Sequence, residues 1–223
     1  MKRNISIIAL ILALGIAGFF IYRDLRPTTQ ESIDKYFDFQ VYDETLEQGT
    51  IDIKFKEPFN ELVAELRNNP DDFNRWVQLG VIKKAVNDFK GAEEIWLYAD
   101  TLRPGNSITT ANLADLYQNF LKDNDKAEEW YLETIKRDKT DLQSARNLAN
   151  FYLYTLNRGD DAIKILQDAL QTNPQSLDTL AALAVTYEET EQFQAAIDTW
   201  QQYQQIQPIP EVDEKIQELQ GRL

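Results

Sequence analysis

Two short stretches hold the side chains best suited to chemistry. Asp123-Asn124-Asp125 sets three oxygen donors in a row, as a calcium loop does, but the glycine and closing glutamate of such a loop are missing at the right distance. Arg158-Gly159-Asp160 spells a cell-adhesion tripeptide. Both read more simply as turns, with Gly159 supplying a bend and Asp160 or Asp161 capping the helix that follows. Many carboxylates could pair, yet acid–base catalysis needs two held in one pocket with their pKa values pushed apart, and no local pattern marks such a pair. There is no phosphate-cradling glycine loop. The chain has no Cys and no His, which removes thiolate and imidazole metal sites and the Ser–His and Cys–His nucleophile systems. No catalytic, cofactor or metal residue is assigned, and the chain reads as a protein that is not an enzyme.

Charge narrows the partners. The formal net charge is −14 over 223 residues, and no Lys/Arg run that could neutralise phosphates appears. Nucleic acid is therefore not expected. The acidic surface is first a solubilising one, and attraction of basic partners is the sharper alternative. Without Cys, disulfides are excluded and the cysteine count is silent on redox compartment.

Met1-Lys2-Arg3-Asn4 precedes an uncharged apolar run, ISIIALILALGIAGFFIY, at residues 5–22. As a helix rising ~1.5 Å per residue it would span ~27 Å, near the ~30 Å hydrocarbon core of a bilayer. That is long for a signal-peptide core of ~7–15 residues. Gly15-Ile16-Ala17 is a poor cleavage context. An uncleaved signal anchor is favoured, with secretion after cleavage as the alternative. Lys2, Arg3 and the α-amino group outweigh Arg23 and Arg26 with Asp24 between them, so residues 1–4 are expected on the cytoplasmic side and the rest on the periplasmic or extracellular side.

The remainder repeats itself. Trp76, Leu79 and Gly80 are followed by Ala92, Trp96, Ala99 and Pro104; Leu113, Ala114 and Tyr117 by Ala127, Tyr131 and Thr134. Leu148, Ala149 and Tyr152 are followed by Ala162, Leu166, Ala169 and Pro174; Leu183, Ala184 and Tyr187 by Ala196, Trp200, Tyr203 and Pro208. The Leu-small pair steps by 34, 35 and 35 residues. Each unit holds two amphipathic helices; small residues let them approach, large ones at 96, 131, 166 and 200 fill the space beside them, and one unit cannot bury both faces alone. The pattern resembles the tetratricopeptide repeat (TPR), with units at 73–106, 107–141, 142–176 and 177–210. Thr110, Ala145 and Leu180 depart from it where Trp76 stands, as do Lys83 for Tyr and Lys139 for Pro, and the middle units each carry an extra residue, expected in the inner turn. The resemblance implies an all-α, right-handed α-solenoid of about four helix pairs behind a single N-terminal transmembrane helix.

The ends require sealing. Residues 58–70, with Phe59, Leu62, Val63 and Leu66 on one face, read as the second helix of a degenerate leading repeat. Residues 211–223, with Val212, Ile216 and Leu219, read as a capping helix. Residues 23–57 form a tether. Phe37, Phe39 and Val41 alternate with polar residues, and so do Ile51, Ile53 and Phe55, which leaves a short hairpin open; the long intervening loop favours an irregular arm with its aromatics tucked against the first helices.

The resemblance also implies a concave groove lined by first helices and binding a partner protein or peptide. Its wall would be Asn74, Val77, Val81 and Lys84; Ile108, Ala111, Asp115 and Gln118; Gln143, Arg146, Asn150 and Tyr154; and Asp178, Ala181, Val185 and Glu188. Arg146 and Asn150 look like half of the family's carboxylate clamp, but Val77, Val81, Asp115, Ala181 and Val185 do not complete it. Arg146 is the best anion contact of a mixed groove, or it merely balances nearby carboxylates. The expected function is a membrane-tethered adaptor or scaffold in assembly or trafficking of envelope proteins. A holdase for unfolded secreted chains and a regulatory subunit of an envelope complex are the alternatives.

Overall fold

The structure, a computed structural model, describes residues 33–223. The n-region 1–4, the apolar run 5–22 and tether residues 23–32 lie outside the described residues. Among the described residues no helix is long and apolar enough to cross a membrane, and all regular structure is helical. The chain divides into two compact units, 1–104 and 105–223.

In the first unit the tether enters as a strap, a turn at residues 33–36 followed by irregular chain. Ile33 is buried, Tyr36 meets the Trp76 ring edge-on at 5.6 Å, Phe37 stacks on it at 5.6 Å, and Phe39 packs on Phe59 at 5.0 Å. A short helix follows, α1 (Gln48–Ile51), then a π-helical turn (Asp52–Lys56) that runs directly into α2 (Glu57–Asn68). No strand forms at Ile51, Ile53 and Phe55. The apolar positions that matter are Ile51, Phe55 and Phe59, four apart on one helical face, while Ile53 is 70% exposed. Pro58 has no N–H for a regular helical bond, and the wider π turn ahead of it accommodates that loss.

Two antiparallel helices complete the unit: α3 (Phe73–Ala85) and α4 (Phe89–Leu102). Each starts on an aspartate cap, Asp72 accepting from the Arg75 N–H and Asp88 from that of Gly91. Trp76 is fully buried in a core with Phe59, Leu66, Phe73, Leu79, Ile95 and Tyr98, and its indole N–H donates to the Pro70 carbonyl at 2.7 Å. Lys83, the departure from Tyr, is buried too. Its ammonium is satisfied by the Asp88 carboxylate at 2.6 Å and the Asp38 carbonyl, so it fastens the strap to α3. A buried cation is tolerable only with such partners.

The second unit stacks three helix pairs and a cap. The pairs are α5 (Ile108–Leu116) with α6 (Asn124–Arg137), α7 (Leu142–Asn150) with α8 (Gly159–Thr172), and α9 (Leu177–Glu189) with α10 (Phe193–Ile206). The cap is α11 (Pro210–Gln220), burying Val212, Ile216 and Leu219. Gln204 locks the turn before it, accepting from the Ile209 N–H at 2.6 Å and donating to the Asp213 carboxylate at 2.7 Å.

The extra residue of each middle repeat lies inside the first helix rather than in the inner turn. α5 has nine α-helical residues followed by five π-helical ones (Tyr117–Leu121), and α7 nine followed by Phe151–Thr155, against thirteen in each of α3 and α9. A π turn absorbs one residue without shifting what comes next. The inner turns are therefore alike in all four pairs: Asn87, Lys122, Asn157 and Glu191 each adopt a left-handed conformation, with φ of 61°, 57°, 53° and 58°. Asn157, not Gly159, makes the bend at Arg158-Gly159-Asp160. Gly159 opens α8, with Arg158 at the cap position. Its lack of a side chain serves a close approach, because a Cβ there would collide with the Thr190 methyl.

Candidate functional site

None of the sixteen residues assigned to the groove is buried, and each is half-buried or exposed. In the second unit the outward rows are Ile108, Ala111 and Asp115 on α5, Gln143, Arg146 and Asn150 on α7, and Asp178, Ala181 and Val185 on α9. Their helical neighbours Leu113, Ala114, Leu148, Ala149, Leu183 and Ala184 are buried, which fixes which face turns out. In the first unit Asn74 and Val81 are exposed on α3 and Val77 is half-buried against the core.

The last residue of three sets is committed elsewhere. The Lys84 ammonium lies 5.9 Å from the centre of the Trp96 ring. Gln118 accepts from the Tyr131 hydroxyl at 2.6 Å. Glu188 accepts from the Trp200 indole N–H at 2.7 Å and pairs with Lys215 of the cap at 3.1 Å. All three stand against the large residue of their own second helix, so Lys84, Gln118 and Glu188 act as polar lids on the pair. Tyr154 departs for another reason. It falls in the π turn of the third repeat, 59% exposed, and lines a cleft of about 320 Å³ with Asn157, Glu189 and Thr190.

Arg146 is the cation of the outward face. It donates to Gln143 Oε1 at 2.7 Å and to Thr179 Oγ1 at 3.4 Å, and it faces the Asp178 carboxylate at 3.6 Å. Its side chain is 18% exposed, whereas that of Asp178 is 80% exposed. The arginine is thus held in place between α7 and α9 while its carboxylate partner remains in water. Asn150 lies one turn further along α7 and is exposed. Asp115 and Asp178 make the face mixed in charge, with apolar Ile108 and Val185 at 47% and 37% exposure.

A cluster that sequence reading missed joins α6 to the π turn after α7 and to the start of α8. The Tyr152 hydroxyl donates to Glu128 Oε1 at 2.8 Å, and Arg158 grips both Glu128 oxygens at 2.9 and 3.0 Å while stacking over the Tyr152 ring. Burial and the Glu128 carboxylate push the Tyr152 phenol well above its ordinary range. Burial, with Asp115 nearby, pushes the Tyr131 phenol up to about 12. These groups stay neutral and tie helices together. The one available signal was that Tyr152 and Arg158 flank an inner turn. Among the described residues no three His, Cys, Asp or Glu side chains are grouped to hold a metal.

Antiparallel helix pairs with a small residue on the first helix under a large one on the second, repeated at 34–35 residues, define an all-α repeat protein. Two stretches match family models described as tetratricopeptide repeat, residues 109–143 and 153–223, so the chain carries TPRs there. No curated protein matches the chain. Among solved structures it is similar to MamA, at 15% identity and a TM-score of 0.56, over 78% of this chain and 98% of that one. It is also similar to YrrB, described as a TPR protein with an unusual peptide-binding site, at 12% identity and a TM-score of 0.53, over 66% and 75% of the two chains. A third is pilF of Pseudomonas aeruginosa, at 18% identity and 0.52, over 67% and 68%. At these identities the likeness is one of fold.

Proposed function

We propose that the protein is a membrane-tethered TPR adaptor that binds a partner protein or peptide along the outward faces of its first helices, in assembly or trafficking of envelope proteins. Its role is binding rather than catalysis. The observation that carries the reading is Arg146, positioned by Gln143 and Thr179 on an accessible face with only a solvent-exposed carboxylate opposite. An anionic group on a partner would replace Asp178 at little cost, since an exposed pair contributes ~0–1 kcal/mol. Residues 5–22 act as an uncleaved single-pass anchor with residues 1–4 inside, which sets the repeats on the periplasmic or extracellular side. The test is crosslinking of the full-length chain in its native membrane, followed by mass spectrometry, beside Arg146→Glu. One dominant partner, lost in the variant, supports the adaptor.

A holdase is the second reading, favoured by the exposed Ile108, Tyr154 and Val185. It predicts many unrelated secreted chains, insensitive to Arg146→Glu, and suppression of aggregation.

A further inference from the structure

Among the described residues the leading repeat is represented by its second helix, α2, without a first helix beside it. Within the second unit, first helices follow one another: α7 lies beside α9, and Arg146 of α7 reaches Thr179 of α9. The α9 face turned that way is covered, with Thr179 and Thr186 at 0% and 2% exposure. The corresponding residues Ser144 of α7 and Phe151 of the π turn after it are 4% and 0% exposed. In α3 the equivalent residues are Arg75 and Ile82, and both are open to solvent in part. Among the described residues α3 is preceded by α2, a second helix continuous with α1 and the π turn, and no first helix pairs with it.

The space left is a cleft of about 540 Å³ between α2 and α3. Its floor is apolar, made by Pro58, Leu62 and Ile82, with Val81 46% exposed at one side. Its rim is polar. Glu65 is paired with Arg75, while Glu61 and Gln78 stand exposed. A soluble end normally closes with a polar face, as α11 closes the other end of the chain. Here an apolar floor remains in the place where α9 receives α7.

The geometry points to a docking site for one amphipathic helix of a partner protein, lying in the first-helix position and completing the leading repeat in trans. Its chemistry follows from the lining: an apolar stripe at i, i+3, i+4 and i+7 toward Leu62 and Ile82, and Lys or Arg along the edge that meets Glu61. The site is separate from the Arg146 face and does not rest on that reading.

The test uses the full-length chain in detergent and a fluorescent synthetic helix of about fourteen residues, four turns, with Leu along one stripe and Lys along one flank. Binding is read by anisotropy against wild type and against Glu61→Lys with Gln78→Lys. Both replaced residues are exposed, so the variant should keep its circular dichroism and melting curve. We expect the double variant to weaken binding by about tenfold or more, and Arg146→Glu to leave it unchanged. A peptide with Glu in place of Lys should bind about tenfold more weakly to wild type. Equal binding to wild type and to the double variant would mean diffuse attraction to an acidic protein and would overturn the site. In the native membrane, a photocrosslinker at Gln78 should attach to a helical, Lys/Arg-bearing segment of another protein and lose it with Glu61→Lys. Attachment to a second copy, to the chain's own residues, to lipid alone or to nothing overturns the proposal.

Discussion

The indole of Trp96 lies directly on Gly80. A Cβ built at Gly80 would sit 2.7 Å from Trp96 Cδ1, inside van der Waals contact, and the indole N–H reaches the Val77 carbonyl at 3.1 Å one turn earlier. The other repeats carry Ala at this position, opposite Tyr131, Leu166 and Trp200. Trp200, facing Ala184, bonds the Glu188 carboxylate instead of a backbone carbonyl.

Gly80→Ala should therefore destabilise the protein by about 1–3 kcal/mol, the usual cost of overpacking, despite the better helix propensity of Ala. Trp96→Leu in that background should recover part of the loss, because Ala149 already packs opposite Leu166. Urea denaturation of the two singles and the double gives the coupling. Additive losses would mean that the close approach of the two residues is not what makes Gly80 necessary.

Trp76→Ala should cost ~3–5 kcal/mol, since a fully buried aromatic leaves a cavity. It also removes the ring on which Tyr36 and Phe37 rest. Limited proteolysis within 33–42 should then accelerate along with the fall in stability. A near-neutral change in denaturation midpoint would contradict its place in the core.

How far the sequence led depended on whether a signal was periodic. Leu79, the small residues at 80, 114, 149 and 184, the later alanines at 92, 127, 162 and 196 and the large second-helix residues repeat, so their burial and the pairing of helices were legible. Ile51, Ile53 and Phe55 do not repeat, and a spacing of two obscured the spacing of four that joins Ile51 and Phe55 to Phe59. The extra residues near Tyr117 and Tyr152 were countable, but counting cannot separate a longer turn from a π turn. The groove rows followed helical spacing until their last members. There Lys84, Gln118 and Glu188 found partners on the second helices, contacts that no pattern within one helix records. The cleft between α2 and α3 was invisible because its lining comes from two helices and no pattern within either one marks it.

Alkaline stability should report Tyr131. Its folded-state pKa is raised to about 12, from an ordinary value of 10.0, chiefly by burial. The neutral phenol is favoured in the folded chain, so its contribution is fully present below pH 10 and is lost as pH rises toward 12. Tyr131→Phe should flatten the fall in stability across that window and remove one late component from the tyrosinate absorbance titration. Loss of a component at the ordinary value of 10.0 instead of a late one would mean that the Tyr131 hydroxyl is open to water.

The left-handed turn residues offer a gain. Lys122 and Glu191 hold φ of 57° and 58°, where a side chain costs ~1–2 kcal/mol. Glycine avoids that cost but loses ~0.5–1 kcal/mol to chain entropy. Lys122→Gly and Glu191→Gly should each stabilise by about 0.5 kcal/mol, with effects that add, since each acts on its own turn. Destabilisation by either would show that its side chain makes a contact worth more than the strain.

Arg146→Glu separates structure from binding. The Asp178 partner is 80% exposed, so the lost pair should change stability by under ~1 kcal/mol. The new carboxylate would face Asp178 across α7 and α9, turning the centre of the outward face from mixed to acidic. A partner that offers an anionic group there should lose affinity by about tenfold or more, whereas one held by apolar contacts at Ile108 and Val185 should not respond. Comparing the melting temperature with partner capture in the same preparation decides between them. A large drop in melting temperature would assign Arg146 to the fold and leave the binding face without its cation.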